Sequence, residues 1–274
     1  KEISLNEKCK IIWRNNVIAR LKKGNNYLNP EIEILADDAL DDLSKCKLEF
    51  FLKHWVDNHI KEILEDLLNL NKESVDNKYI RALMFQLFEN NGVIKRELVE
   101  GIVKSIKTEE RKKIWDLGIK IGRYHIYLPK MLKPKAVSLR ISLWRLFYQL
   151  AANQEVPKSG LNYLNDKKYN KNFLLLCGFE KFKNHYVRID ILEKLFIKIL
   201  NKTKNRKFKI NAEMINLIGC NKEGFYSLML SMNYKKSKEV DTYFYTGESK
   251  RKEKYINVNK NENPFKKLLA LNLK

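Results

Sequence analysis

The residue pattern predicts a mainly α fold with small β-hairpins, and three observations carry that expectation. Apolar residues recur at helical spacing over long stretches, above all from Leu48 to Leu70. Short β-prone runs flank turns rich in Asn, Gly and Pro. One helix, opening at Pro134, carries an apolar arc so wide that it belongs in a core.

From the start of the chain, Lys10 to Leu21 reads as two strands turning at Asn15-Asn16, because asparagine tolerates the positive φ of a tight hairpin. A further strand, Glu31 to Leu35, follows the loop Gly24 to Pro30. This small β unit, residues 1–36, is marginal alone and is expected to pack on a neighbour. A helical domain over residues 37–152 comes next. Its first helix runs from Asp38 to Leu70, with Asp37 or Asp38 as cap and a break near Ser44. Ser74 to Glu89 forms a second helix stopped by Asn90-Asn91-Gly92, with Met84, Phe85 and Phe88 expected in the core. Shorter helices are predicted at Lys95 to Ser105 and Thr108 to Leu117, Thr108 being the cap and Gly118 the stop.

Gly118 to Leu150 then reads as a strand, a proline turn and a long helix. Pro134 suits the first helical position, where its missing N–H costs nothing. Ala136, Val137, Leu139, Leu143, Trp144, Leu146, Phe147 and Leu150 make the apolar arc, and Arg140 falls inside it. Burying a guanidinium alone is costly, so Arg140 is expected to meet a carboxylate first of all, or else to snorkel or line a solvated channel.

Residues 153–166, with Pro157 and Gly160, have the composition of a linker. Beyond it, Lys168 to Leu176 reads as a helix ended by Gly178, and Phe179 to Arg188 as a hairpin turning at Asn184. A helix capped by Asp190 runs to about Asn201, and a basic run leads into a strand near Phe208. Helices at Asn211 to Ile218 and Lys222 to Met232 flank the turn Gly219-Cys220-Asn221, and a hairpin closes from Tyr234 to Thr246. Helix, strand, helix, tight turn, helix and β-wing is a winged-helix-like order, so residues 167–247 are predicted to form a winged-helix-like domain. Residues 248–274 read as a flexible basic tail.

The charge is uneven. The 274 residues hold 54 Lys and Arg against 33 Asp and Glu, for a net charge of +21, which favours an acidic partner such as nucleic acid. Asp37 to Asp66 is an acidic segment, whereas no carboxylate occurs between Asp116 and Glu155. Cationic residues expected to bind nucleic acid are Arg123, Lys130, Lys133 and Lys135 in the central stretch, Lys204, Arg206 and Lys207 in the basic run, and Lys235 and Lys236 on the wing. Tyr124 or Tyr127 offers a ring for a base, although strand packing is the commoner use of such tyrosines.

Cys9, Cys46, Cys177 and Cys220 form no C-x-x-C pair, and the four histidines lack ligand spacing, so ordinary thiols in a reducing, cytoplasmic setting and no metal are expected. No apolar run approaches the roughly 20 residues a membrane span needs, and no membrane partner is expected. G-x-x-x-x-G-K-[ST], G-x-G-x-x-G, G-x-S-x-G and H-E-x-x-H are all absent, so the chain offers no catalytic motif.

The stretch RYHIYLPKMLKPKAVSLRISLW, Arg123 to Trp144, resembles the C-terminal region of alphaproteobacterial helicase-related proteins, superfamily-two helicases akin to the RNA helicase of the mitochondrial degradosome. The likeness extends to WRNNVIARL at Trp13, LADD at Leu35, LMFQLFENNGVI at Leu83, VRIDILEKL at Val187 and INLIGCNKEGFYSLMLSMNYK at Ile215. It implies an accessory, nucleic-acid-binding region guiding a single strand of RNA or DNA beside an ATP-driven motor core. That core, with its ATP and Mg²⁺, is expected upstream of Lys1 in a longer parent, and no catalytic residue carries over onto this chain. Two other functions fit the same residues: a stand-alone winged-helix regulator that prefers duplex DNA as a symmetric dimer, and a protein-interaction scaffold with weak, salt-sensitive nucleic-acid binding.

Overall fold

A computed structural model describes residues 3–35, 41–149, 155–165 and 170–246. The expected caps Asp37 and Asp38 and the tail 248–274 lie outside the described residues. The chain opens as an antiparallel meander of β1 (Ile3–Leu5), β2 (Lys10–Trp13), β3 (Asn16–Asn26) and β4 (Asn29–Ile34), in that order. Its first long hairpin turns on Arg14 and Asn15, with φ of 46° and 68°. The turn thus lies one residue before the expected Asn15-Asn16, because pairing Trp13 with Asn16 leaves Arg14 and Asn15 as the two central positions that need positive φ.

α1 (Asp42–Lys72) buries Leu52, Val56, Ile60, Leu64, Leu67 and Leu70, and packs on β4 and on α2 (Lys78–Glu89). The break expected near Ser44 is found at Leu64 instead. Asn77, three residues after the expected start, caps α2 by accepting from the N–H groups of Tyr79 and Ile80 at 2.8 and 3.1 Å. Ile80, Leu83, Met84 and Leu87 face the core, whereas Phe85, expected there, is 58% exposed on the opposite side of the helix.

β5 (Val93–Lys95), α3 (Glu100–Ser105), α4 (Arg111–Asp116), β6 (Lys120–Ile121) and β7 (His125–Tyr127) follow. The helix predicted from Lys95 opens as a 3-10 turn over Arg96–Val99 and continues as α3 from Glu100, while Lys95 itself ends β5 paired with His125. Thr108 opens a 3-10 turn and does not cap α4. Gly118 ends this helical pair at φ 73° as expected.

α5 (Pro134–Tyr148) begins on its proline and lies between two cores. Ala136, Leu139 and Leu143 join the core of the meander and α1, while Val137 and Ile141 join the core made by the next three elements. Those are α6 (Lys171–Leu176), β9 (Phe179–Phe182) and β10 (His185–Arg188), with β8 (Tyr163–Asn165) paired to β10 at the end of the stretch read as a linker. The expected carboxylate partner of Arg140 is not what the fold supplies. Its guanidinium, fully buried, donates to the carbonyls of Asn91, Met131 and Leu176, the latter two at 2.6 and 3.3 Å. Each carbonyl lies at or just beyond the C-terminal end of a helical segment, where backbone acceptors lack partners and the dipole favours a cation. Burial pushes the guanidinium down to about 10, which leaves it charged at neutral pH.

The last unit comprises α7 (Ile189–Lys202), β11 (Lys207–Lys209), α8 (Ala212–Ile218), α9 (Lys222–Ser231), β12 (Tyr234–Lys236) and β13 (Thr242–Tyr245). Asp190 does not cap α7. It sits in the first turn and pairs with Arg188 at 2.6 Å, so its charge still meets the helix dipole. The sheet order is β11-β13-β12. The same order of helix, strand, two helices and hairpin occurs earlier in α2, β5, α3, α4, β6 and β7, whose sheet runs β5-β7-β6. Two copies of one topology therefore stand in the chain.

Candidate nucleic-acid interface

The two copies meet at the turn between β6 and β7. Glu193, in the second turn of α7, accepts backbone N–H bonds from Arg123, Tyr124 and His125 at 2.6, 2.8 and 3.1 Å. Arg96 adds a bond from its guanidinium to the carbonyl of Gly122 at 2.8 Å. Beside this clamp, the buried carboxylate of Glu180 on β9 binds Lys95 at 2.6 Å and His125 at 2.7 Å. Burial pushes Glu180 up, but His125 and Lys95 more than offset it and hold the carboxyl below its ordinary range. Fixed in this way, the turn presents the Arg123 side chain to solvent.

Arg123 borders a cleft of about 370 Å³ lined by Tyr124, Phe196, Phe208, Tyr234 and Tyr245. Arg206 stands on the same cleft. It is carried there by a tight turn in which Lys204 and Lys207 exchange backbone bonds of 2.8 and 2.9 Å, while Asn205 and Arg206 take φ of 49° and 63°. Two cations expected from separate stretches of sequence thus face one aromatic recess. Tyr124 is held in place by edge-on contacts to Phe182 and Phe196 and by a hydrogen bond it shares with Tyr234, and burial raises its phenol. Tyr127 is buried in β7. Both therefore serve packing, and the accessible ring of the cleft is Tyr245, 41% exposed at the end of β13.

The remaining expected residues lie elsewhere. Lys130, Lys133 and Lys135 border a different depression of about 680 Å³ that also includes Glu7, His59 and Glu62. Lys130 is tied to Asp66 at 2.7 Å, an ion pair with the acidic segment, while Lys133 and Lys135 are exposed with no salt bridge among the described residues. Lys207 pairs with Glu239 at 3.0 Å. Lys204 is exposed beside it, and Lys235 and Lys236 are exposed on β12, next to Tyr234 but not on the cleft wall. The aromatic lining was not legible beforehand, because Phe196, Phe208 and Tyr245 come from three elements and each looks like ordinary core in its own segment.

All four cysteines are free, with Cys9 and Cys177 buried. No helix among the described residues is long and apolar enough to cross a membrane. Compared with protein-family models, with curated proteins and with solved structures, the chain finds no match.

Proposed function

We propose that this chain is the nucleic-acid-binding accessory region of an ATP-dependent superfamily-two RNA helicase, guiding a single strand of RNA or DNA past a motor core carried elsewhere in the parent protein. The observation that favours a strand-binding role is the convergence of Arg123 and Arg206 on one cleft of aromatic side chains, since guanidinium groups neutralise phosphates while rings take bases. The helicase part of the proposal rests on the resemblance of Arg123 to Trp144 and the other quoted segments. ATP and Mg²⁺ belong to the motor. The given sequence has no G-x-x-x-x-G-K-[ST] loop to hold them. A cytoplasmic location belongs to the same proposal, resting on four unpaired thiols.

The last unit is proposed to be a winged helix, supported by its element order and by a sheet in which the first strand pairs with the third. The earlier copy of that topology makes two such units. Duplex readout through α9, as a regulator would need, has less support. Its exposed residues include Lys222, Glu223, Ser227 and Leu230, and Lys222 is paired with Asp241 at 3.3 Å. Equilibrium binding to labelled single-stranded RNA, single-stranded DNA and duplex DNA over a salt series tests the proposal. Single-strand preference with a slope of several ions is expected. A preference for duplex transfers support to the regulator, and absence of binding at moderate salt leaves a scaffold.

A further inference from the structure

Trp115, the largest side chain on α4, is 70% exposed, and among the described residues neither a ring nor a cation stacks on it. It stands on a groove of about 730 Å³ between the β6 side of the first copy and α7 of the second. The apolar floor includes Ile114, Ile119 and Ile121, while Ile197 on α7 is 55% exposed across from them. Five cations border the groove, namely Arg96, Arg111, Lys120, Arg123 and Lys194. Its two carboxylates are already engaged, Asp190 by Arg188 and Glu193 by three backbone N–H groups. Arg111, Lys120, Arg123 and Lys194 make no salt bridge among the described residues, so cations outnumber free carboxylates on the groove wall, with Glu100 close enough to Arg96 and Arg123 to feel their charge.

An uncovered indole beside unpaired cations suits a polyanion that also carries flat apolar faces, and single-stranded nucleic acid is that polymer. A protein partner of ordinary composition would leave the four unpaired cations without counter-charges. We propose that this groove is a single-strand subsite in which Trp115 stacks one base while Lys120, Arg123 and Lys194 neutralise the flanking phosphates. Arg123 also borders the cleft of Arg206 and Tyr245, so the strand passes from Trp115 over Arg123 into that cleft. The inference rests on the strand-binding reading above and adds a second place where the strand docks.

The test is equilibrium binding of the whole chain to fluorescein-labelled oligo(dT), oligo(rU) and an oligo(dT) carrying a run of abasic residues. Trp115→Ala is expected to weaken binding to both base-bearing oligonucleotides about tenfold, the loss of one stacked base. Trp115→Phe should retain most of the affinity, and the abasic oligonucleotide should bind wild type and Trp115→Ala alike. Because Trp115 is exposed, thermal melts of the variants should match wild type, which separates lost binding from lost folding. Lys120→Glu with Lys194→Glu should flatten the salt slope on all three probes. If Trp115→Ala binds both base-bearing probes as wild type does while Arg206→Glu weakens them, the groove is not the subsite although strand binding stands. If wild type binds none of the probes at low salt, the strand-binding reading itself fails.

Discussion

The carboxylate of Glu193 occupies the space that a side chain at Gly122 would need, a Cβ there falling 2.3 Å from the Glu193 carboxyl carbon. One glycine thus admits the group that holds the β6–β7 turn, and the turn in turn aims Arg123. Gly122→Ala would push a flexible side-chain end, which is sterically cheap, but that end makes three bonds to backbone N–H groups. The expected cost is about 1–3 kcal/mol, from leaving those donors without an acceptor. Urea unfolding checks it. Glu193→Gln should lose less than Glu193→Ala, since an amide oxygen still accepts.

Arg140 supports a sharper expectation. Its three carbonyl acceptors come from the ends of three helical segments, so Arg140→Met should destabilise the chain by about 3–5 kcal/mol despite the good fit of an apolar side chain. Arg140→Lys should recover only part of this, because one ammonium cannot reproduce the planar fork. Thermal melting of the two variants distinguishes a requirement for charge from a requirement for geometry.

Glu180 makes stability depend on acid pH. Its carboxyl is held below the ordinary value of 4.5, so the unfolded chain takes up the proton first as pH falls. Its contribution is therefore complete above pH 4.5 and is lost as pH falls through the lowered folded value. Glu180→Gln should be less stable than wild type at neutral pH, and the difference should shrink below about pH 4. Denaturant midpoints across that range measure it, and a constant difference would show that the carboxylate makes no pH-linked contribution.

Much of the fold was written in local pattern. Pro134 at the first position of α5, the Asn91-Gly92 stop and the Gly118 and Gly178 ends all follow from backbone preferences of single residues, whereas the hairpin expected to turn at Asn184 takes its positive φ, 54°, at Lys183. The misreadings share a different cause. Only Lys95 of β5 falls inside the predicted helix, since its partner β7 lies some thirty residues away in sequence, and Arg140 draws an expected carboxylate because carbonyls at distant helix ends leave no trace in composition. The basic residues were visible as charge, but which of them share a surface depended on the meeting of the two copies. That meeting rests on Glu193 and Glu180, neither of which stood out in sequence.

The two basic surfaces make different predictions for salt dependence. Lys133 and Lys135 are exposed without salt bridges among the described residues, whereas Lys130 already has a counter-charge in Asp66. If the strand runs along this depression, changing Lys130, Lys133 and Lys135 together to Glu should lower the salt slope by about 1–2, chiefly from two phosphates at roughly 0.7 ion each. If it runs through the cleft instead, Arg123→Glu with Arg206→Glu should produce a loss of that size, and Tyr245→Ala should add about 1–3 kcal/mol from stacking. Only the second pattern couples charge and ring, because Tyr245 shares a cleft with both arginines and with none of the three lysines. Single variants at Arg206 and Tyr245 therefore decide the path: losses at both, coupled in the double variant, place the strand in the cleft, and wild-type binding by both beside a loss in the lysine variant places it along Lys133 and Lys135.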